Sequence, residues 1–221
     1  MIKLINVWKK YTDLELLKDF NISFEKNKIT CLFGPSGVGK TTIANIVAGI
    51  TPIDKGRVEG IDNSLFSYVF QEPRLLKWYN VYDNIDFVLK DVYPPDKRVK
   101  ITESYLEMVE LSQYKNYKIS ALSGGMEQRV SLARAFAYPP DILIMDEPFK
   151  GLDFKLKQEM ISLFKKMWEK SNRTVIFITH DVEEAINLPH TIYTLNDMPI
   201  RIINCINANN NKEEIRNLLL I

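Results

Sequence analysis

A glycine-rich octapeptide carries the strongest chemical signal in this 221-residue sequence. Residues 34–41 read Gly-Pro-Ser-Gly-Val-Gly-Lys-Thr and match the pattern G-x-x-x-x-G-K-[ST] in full. Backbone N–H groups of such a loop wrap phosphate oxygens, and the following helix adds partial positive charge at its N-terminus. Lys40 can reach the β- and γ-phosphates, and Thr41 can place its hydroxyl on Mg²⁺. The expected ATP-binding residues are Gly34, Pro35, Ser36, Gly37, Val38, Gly39, Lys40, Thr41 and Thr42.

Two adjacent carboxylates follow the apolar run Ile142–Met145, which is typical of a buried strand. Asp146 can hold the water shell of Mg²⁺, and Glu147 can point toward the γ-phosphate and polarise the attacking water. Taken alone, the pair could equally be a solvated strand end. Beside a phosphate loop a catalytic pair is favoured, because hydrolysis needs metal, base and phosphate in one place.

A second anion-binding pattern lies at Ser123-Gly124-Gly125, which opens another helical segment. The free N–H groups of a helix start and the serine hydroxyl together suit an anion. One phosphate group does not need two such sites. The pattern therefore suggests that this segment caps a nucleotide held by another copy of the chain.

Alternating strand and helix patterns surround these motifs. We expect strands at Ile2–Trp8, Phe20–Phe24, Ile29–Phe33, Tyr68–Phe70, Ile142–Met145 and Val175–Thr179. Helical patterns cover Thr41–Ala48 and Met126–Ala137, and Leu156, Met160, Leu163, Phe164 and Met167 line one face of another helix. Continuous apolar strands between amphipathic helices predict a parallel sheet covered on both faces.

The middle of the chain changes pattern after Val81. Ile101, Tyr105, Met108 and Val109 recur at helical spacing after the breaker Pro94-Pro95. We expect one ATPase domain over residues 1–221, with a helical insert subdomain at about 81–135. The asparagine run Asn207–Asn211 predicts a solvated turn, and a short helix is expected from about Lys212.

The bulk composition excludes several classes of protein. Lys plus Arg number 29 against 28 for Asp plus Glu, so there is no electrostatic case for a nucleic-acid partner. The two cysteines, Cys31 and Cys205, are interpreted as reduced thiols, as in a reducing cytosol. No signal peptide is expected at Met1–Asn6, and no apolar run approaches the length of a membrane span. A membrane role would have to come through a partner.

The order of the motifs resembles the ATP-binding cassette family, the nucleotide-binding subunits of ABC transporters. The motifs run through the P-loop, Gln71, Leu122-Ser123-Gly124-Gly125, Asp146-Glu147, Gly151-Leu152-Asp153 and His180. The similarity extends from about Ile2 to Leu195. It implies an α/β fold: a P-loop NTPase core with a mainly parallel sheet, an N-terminal antiparallel β part and a helical insert subdomain. ATP and Mg²⁺ are the implied cofactors.

The resemblance also implies the adenine contact. Tyr11 lies 29 residues before Lys40, where the family keeps an aromatic ring that stacks on the base. Trp8 is the competing candidate, and Tyr11 could equally be a packing residue.

Three further residues acquire roles only through the resemblance. Gln71 corresponds to the glutamine that touches Mg²⁺ and the attacking water. Asp153 corresponds to the aspartate that crosses the dimer interface, although it could also cap the following helix. His180 corresponds to the switch histidine that contacts the γ-phosphate, so Glu147, His180 and Gln71 are the expected catalytic set.

The segment Val69–Trp78 and the run Ser123–Met126 are similar to the importer branch for nitrate, sulfonate, taurine and thiamine precursors. This implies a motor subunit that couples ATP hydrolysis at a homodimer interface to transport through a separate integral membrane permease. A solute-binding protein would act indirectly, and the subunit would lie on the cytoplasmic face of the membrane. The alternatives are the motor of an exporter or lipoprotein-release system and a soluble cassette ATPase.

Glu127 and Lys150 depart from the family pattern. Glu127 brings negative charge close to the second anion site and is expected to weaken ATP-driven dimerisation. Lys150 replaces a small residue before the Leu152-Asp153 pair. Its positive charge could offset the negative charge of Glu127 across the interface.

Overall fold

The N-terminal strands form an antiparallel sheet in the computed structural model, which describes residues 1–61, 64–208 and 211–219. Strands β1 (Ile2–Tyr11), β2 (Leu14–Phe24) and β4 (Lys55–Glu59) lie in the order β2-β1-β4. Both β1 and β2 are longer than their apolar patterns predict, because polar residues such as Lys9, Lys10 and Lys18 interrupt the apolar pattern in the added parts. Strand β4 has no apolar run, so no strand is predicted there.

A mainly parallel sheet follows. Strands β3 (Ile29–Phe33), β6 (Ile142–Asp146), β7 (Thr174–Thr179), β8 (Thr191–Asn196) and β9 (Arg201–Asn207) lie in the order β6-β7-β3-β8-β9. Each neighbouring pair is parallel except β8 with β9. Every residue of β3 and β7 is buried, as expected for strands covered on both faces. Strand β5 (Phe66–Val69) is short.

The chain divides into two compact units. The first contains Met1–Phe66, Asp141–Glu147 and Asn172–Ile221, and its helices are α1 (Lys40–Val47), α6 (Val182–Asn187) and α7 (Lys212–Leu219). The helix expected from about Lys212 is therefore present. Two residues of the expected asparagine turn, Asn209 and Asn210, lie outside the described residues.

The second unit contains Ser67–Pro140 and Pro148–Ser171. Its helices are α2 (Val81–Asp86), α3 (Pro95–Met108), α4 (Gly124–Ala137) and α5 (Phe154–Ser171). On α5 the buried residues are Met160, Ile161, Leu163, Phe164 and Met167, which reproduce most of the expected apolar face. On α3 the fully buried side chains are Thr102 and Leu106, whereas the expected Ile101, Tyr105 and Met108 are half-buried, so the core face is rotated by one residue. Val109, directly after α3, is buried as expected.

The two cysteines occupy different environments. Cys31 is fully buried in the middle of β3, and burial raises the pKa of its thiol far above the usual range. Cys205 is exposed on β9.

The expected mixed α/β fold, with a parallel sheet and an N-terminal antiparallel sheet, is confirmed. Across the part of the chain that the structure describes, no helix is both long enough and apolar enough to span a bilayer.

Candidate functional site

The phosphate loop connects β3 to α1 in the first unit. Pro35, Ser36 and Gly37 are exposed at its tip, which leaves their backbone groups accessible to a ligand. A Cβ atom on Gly34 would lie 2.3 Å from the carbonyl oxygen of Leu195, so only glycine fits beside this backbone. Gly39 has φ of 103° at the position before α1, a conformation that favours glycine.

Lys40 begins α1 and is buried, with 4% of its surface exposed. Its Nζ donates hydrogen bonds to the carbonyl oxygens of Gly34 and Pro35, each at 2.8 Å. The ammonium group is thus held against the loop that the sequence predicts to carry phosphate. A cation at this place attracts an anion bound by the loop.

Thr41 and Asp146 come together at the ends of α1 and β6. The hydroxyl Oγ1 of Thr41 donates to Oδ2 of Asp146 at 2.8 Å. Hydroxyl and carboxylate oxygens are hard ligands of the type that Mg²⁺ prefers. The two residues therefore fit the metal role expected of them.

Glu147 and His180 form a second pair at the same ends of the strands. Nδ1 of His180 lies 3.0 Å from Oε1 of Glu147. The N–H of Glu147 donates to the carbonyl oxygen of Ile178 at 3.0 Å, which ties the residue after β6 to β7. A carboxylate beside an imidazole can accept a proton from water and be held in one orientation.

Both candidate adenine-stacking rings lie on β1. The Tyr11 side chain is 44% exposed, and Lys9 Nζ lies 5.0 Å from its ring centroid. The Trp8 ring has Lys18 at 5.7 Å and Lys55 at 5.5 Å. Cations stack favourably on aromatic rings at such distances. Tyr11 and Trp8 both remain candidates.

The second anion-binding segment lies in the second unit. Ser123 is the N-cap of α4, and its Oγ accepts a hydrogen bond from the N–H of Met126 at 3.4 Å. Gly124 and Gly125 form the first turn of this helix. Glu127 also lies in the first turn, where its negative charge interacts favourably with the helix dipole.

Asp153 caps α5, as one of the two interpretations requires. Its Oδ1 accepts a hydrogen bond from the N–H of Leu156 at 3.0 Å. Capping does not exclude a role at an interface. Gln71 lies in a bend after β5, and it also belongs to the second unit.

The first unit thus brings together the loop residues 34–42, Asp146, Glu147 and His180. Gln71, Ser123, Gly124, Gly125 and Asp153 belong to the second unit. Two buried polar residues near His180 carried no expectation from the sequence, namely Thr179 and Glu184. The D-x-x-E spacing of Asp181 and Glu184, a capping pattern, could have found the second of them.

Comparison with known proteins identifies the family of the chain. The family described as ABC transporter matches residues 17–150. The taurine import ATP-binding protein TauB of Escherichia coli K12 is 35% identical over 211 residues, which are 92% of this chain and 82% of TauB. TauB of Pelagibacter ubique is 38% identical over 84% of this chain and 73% of its own length.

The spermidine/putrescine import ATP-binding protein PotA of Clostridium acetobutylicum is 37% identical over 89% of this chain. The chain spans 58% of the length of that PotA protein.

Two solved structures share the fold. CbiO1 of Clostridium perfringens, part of the ABC transporter complex CbiONQ, gives a TM-score of 0.85 at 27% identity and covers 99% of this chain and 94% of its own. A dimeric ATP-binding cassette in a post-hydrolysis state with ADP and Pi gives 0.81 at 28% identity, and covers 96% of this chain and 100% of its own.

Fold and site define a P-loop protein of the mixed α/β class. The chain belongs to the ABC transporter family. The resemblance to an importer branch is confirmed, since these three relatives are named import ATP-binding proteins.

Proposed function

We propose that this chain is the ATP-hydrolysing motor subunit of an ABC importer. The observation that carries the proposal is the pair of contacts at the carboxyl ends of β6 and β7. Thr41 meets Asp146 at 2.8 Å, and Glu147 meets His180 at 3.0 Å. Metal ligands and a proton acceptor beside a phosphate loop are what nucleotide hydrolysis requires.

The residues of the loop bind and orient the triphosphate. Backbone N–H groups of residues 34–41 and the ammonium of Lys40 hold the phosphate oxygens. Thr41 and Asp146 would hold Mg²⁺, and Gln71 is the third residue proposed for it. When bound, Mg²⁺ neutralises negative charge that develops on the phosphates.

Glu147 acts on the water. Its carboxylate orients a water molecule in line with the γ-phosphorus and accepts a proton as the oxygen attacks. The bond between the γ-phosphorus and the bridging oxygen breaks, and ADP leaves with that oxygen. His180 holds Glu147 in place and contacts the γ-phosphate, and Gln71 contacts the same water.

The active assembly is proposed to be a homodimer formed with ATP. Ser123, Gly124 and Gly125 of one copy would cap the nucleotide bound by Lys40 of the other, and Asp153 would cross the interface. A helix start with a serine cap supports this role, because it offers free N–H groups to an anion. A dimeric relative with ADP and Pi also supports it.

The partner in the membrane is proposed to be an integral permease, with a solute-binding protein acting indirectly. An exposed aromatic group in the second unit supports this partner. Trp78 is 76% exposed, its ring lies 6.2 Å from that of Tyr79, and Tyr79 lies 5.8 Å from Phe87. Exposed aromatic groups of this kind suit a partner helix. The chain would then lie on the cytoplasmic face of the membrane.

The names of the import relatives support taurine or a polyamine as transported-solute classes.

For the domain organisation, we propose one ATPase domain over residues 1–221 with a helical insert at about 81–135.

Hydrolysis of MgATP by the purified chain tests the proposal. Lys40→Ala should lose ATP binding, because the buried cation and its loop act together on phosphate. Glu147→Gln should keep ATP binding but lower kcat by ~10²–10⁴-fold, because an amide cannot accept the proton of the water.

Lys26→Ala, at an exposed lysine between β2 and β3, is the control and should match the wild type in both measurements. Unchanged nucleotide affinity in Lys40→Ala would refute the phosphate-loop assignment. Wild-type turnover in Glu147→Gln would exclude Glu147 as the base.

A further inference from the structure

A buried carboxylate is hydrogen-bonded to the residue that precedes His180. Glu184, on α6, is 2% exposed. Its Oε2 accepts a hydrogen bond from Oγ1 of Thr179 at 2.7 Å. Thr179 ends β7 and immediately precedes His180, so the buried acid is one hydroxyl away from a residue of the site.

The local hydrogen bonds form an extended capping box. In an ordinary box the N-cap side chain bonds the third helical residue, and the acid at that position bonds back to the N-cap N–H. Here Oδ1 of Asp181 accepts from the N–H of Glu184 at 3.1 Å, which is the first half. For the second half, the Asp181 N–H donates to Oγ1 of Thr179 at 3.0 Å, and that hydroxyl donates to Glu184.

These contacts fix His180 from both neighbours. Thr179 is held by Glu184, and Asp181 is held by Thr179. Strand β7 is also tied to Glu147, whose N–H donates to Ile178. The imidazole and the carboxylate that it meets at 3.0 Å are therefore carried on one network of hydrogen bonds.

The capping contacts stabilise the start of α6, and burial of the acid opposes that gain. A buried carboxylate loses its hydration, and an apolar side chain of similar volume often stabilises a core equally well. The next two residues of α6, Ala185 and Ile186, are buried apolar residues. Burial first, and then the charge of Glu184, raise the pKa of the Cys31 thiol, whereas Lys40 lowers it. Glu184 and Lys40 thus both lie within electrostatic reach of one thiol.

We propose that Glu184 is a positioning residue that orients His180 through the hydroxyl of Thr179. This rests on the proposed ATP hydrolysis, in which His180 holds Glu147. Glu184 itself touches neither nucleotide nor water. Its carboxylate orients the Thr179 hydroxyl by accepting its hydrogen bond. That hydroxyl in turn accepts from the N–H of Asp181, which fixes the backbone on both sides of the His180 imidazole.

The test uses the purified full chain and its variants. Thr179→Val removes the hydroxyl at nearly constant volume and should lower kcat for MgATP by about tenfold, since small misplacement of a catalytic group costs up to ~10²-fold. KM should change less than about twofold, because the residue does not touch the nucleotide. Thr179→Ser keeps a hydroxyl, and Glu184→Gln keeps an oxygen acceptor. Both variants should therefore retain most of the wild-type kcat.

Thr174→Val is the matched control. Thr174 is buried at the other end of β7, and its hydroxyl accepts a hydrogen bond from Asn27. Its loss should lower stability without changing kcat. Wild-type kcat in Thr179→Val, or the same loss of kcat in Thr174→Val, would overturn the proposal.

A second measurement is independent of turnover. The sequence has two histidines, so the imidazole C–H resonances of His180 can be assigned by their loss in His180→Ala. They should shift in Thr179→Val and stay unchanged in Thr174→Val. Unmoved resonances would overturn the positioning role. If the wild-type chain does not hydrolyse MgATP but the His180 resonances still shift in Thr179→Val, the positioning role stands and the proposed hydrolysis is refuted.

Discussion

Glu147 holds a left-handed backbone conformation, with φ of 47°, at the end of a buried strand. Such a conformation is uncommon for a residue with a side chain and costs about 1–3 kcal/mol. The hydrogen bond from its N–H to Ile178 offsets part of that cost. Strain of this kind concentrates where a side chain must point in one direction, and here the carboxylate points at His180.

The identity of the adenine-stacking ring can be decided at the same scale. Tyr11→Ala should weaken ATP binding and Tyr11→Phe should have little effect, because stacking needs the ring and not the hydroxyl. An aromatic contact of this kind is worth about 0.5–1.5 kcal/mol beyond its buried area, or roughly two- to tenfold in affinity. Fluorescence titration with MgATP measures it.

Trp8→Ala is the comparison variant for this experiment. If Trp8→Ala weakens binding and Tyr11→Ala does not, the base stacks on Trp8. The two cations near the Trp8 ring, Lys18 and Lys55, would then lie close to the bound nucleotide.

The sequence predicted the residues whose chemistry depends on spacing and missed those whose role depends on burial. The spacing of the loop places Lys40 and Thr41 at a helix start, and the apolar run before Asp146 places it at a strand end. Thr179 looks ordinary in the sequence, and the D-x-x-E spacing marks Glu184 only as a capping residue. The role proposed for both depends on the hydrogen bond between the Thr179 hydroxyl and a buried carboxylate.

Among the elements, the fully buried strands were predictable and the outer ones were not. Strands β3, β6 and β7 have mostly apolar runs, so their bounds agree with expectation within a residue or two. Strands β8 and β9 mix threonine, asparagine and arginine with isoleucine, since β9 has a largely exposed surface. Helix α6 is only 6 residues long and is held by its cap, which periodicity does not detect.

Two hydrogen bonds between His190 and Ile29, which we call the histidine clasp, join the beginnings of β8 and β3. His190, just before β8, donates its N–H to the carbonyl oxygen of Ile29 at 2.8 Å. Its Nδ1 accepts a hydrogen bond from the N–H of Ile29 at 3.1 Å, which requires that nitrogen to be unprotonated. Burial first, and then the positive charge of Lys28, lower the pKa of His190 below its usual value.

The clasp gives stability a defined pH dependence. Because the pKa is lower in the folded state, the contribution of His190 is fully present above its unfolded pKa of about 6.5. It is lost as the pH falls from there toward the folded pKa, since the unfolded chain then binds the extra proton. The free energy of unfolding from urea titration should therefore fall between pH 7 and pH 5.

His190→Asn is the control, because its side-chain oxygen can accept the same hydrogen bond and does not titrate. The fall should be smaller in this variant than in the wild type. Equal slopes in the two proteins would show that other groups account for the whole pH dependence.

For the whole molecule, the residues proposed to act on one nucleotide are divided between the two units of the chain. The phosphate loop, Glu147 and His180 belong to the first unit, and Ser123 and Asp153 belong to the second. A homodimer would let the second unit of one copy act on the nucleotide of the other. A two-fold assembly would then contain two equivalent sites.

Glu147→Gln should trap this dimer. ATP is bound but not removed, so size-exclusion chromatography with ATP should show a dimer that ADP does not support. Adding Ser123→Arg should abolish the dimer, because a bulky side chain replaces the cap of the partner's nucleotide. A Glu147→Gln variant that binds ATP and remains monomeric at high protein concentration would contradict the shared site.

The placement of the two cysteines gives the native chain a single accessible position for covalent labelling. Cys31 is sealed within β3 and held in its unreactive protonated form, whereas Cys205 is open to solvent on β9. A maleimide dye would therefore attach to one defined place without any substitution. Unfolding exposes the Cys31 thiol as well. The average number of dyes per chain would then rise from one toward two with the fraction of molecules that are unfolded.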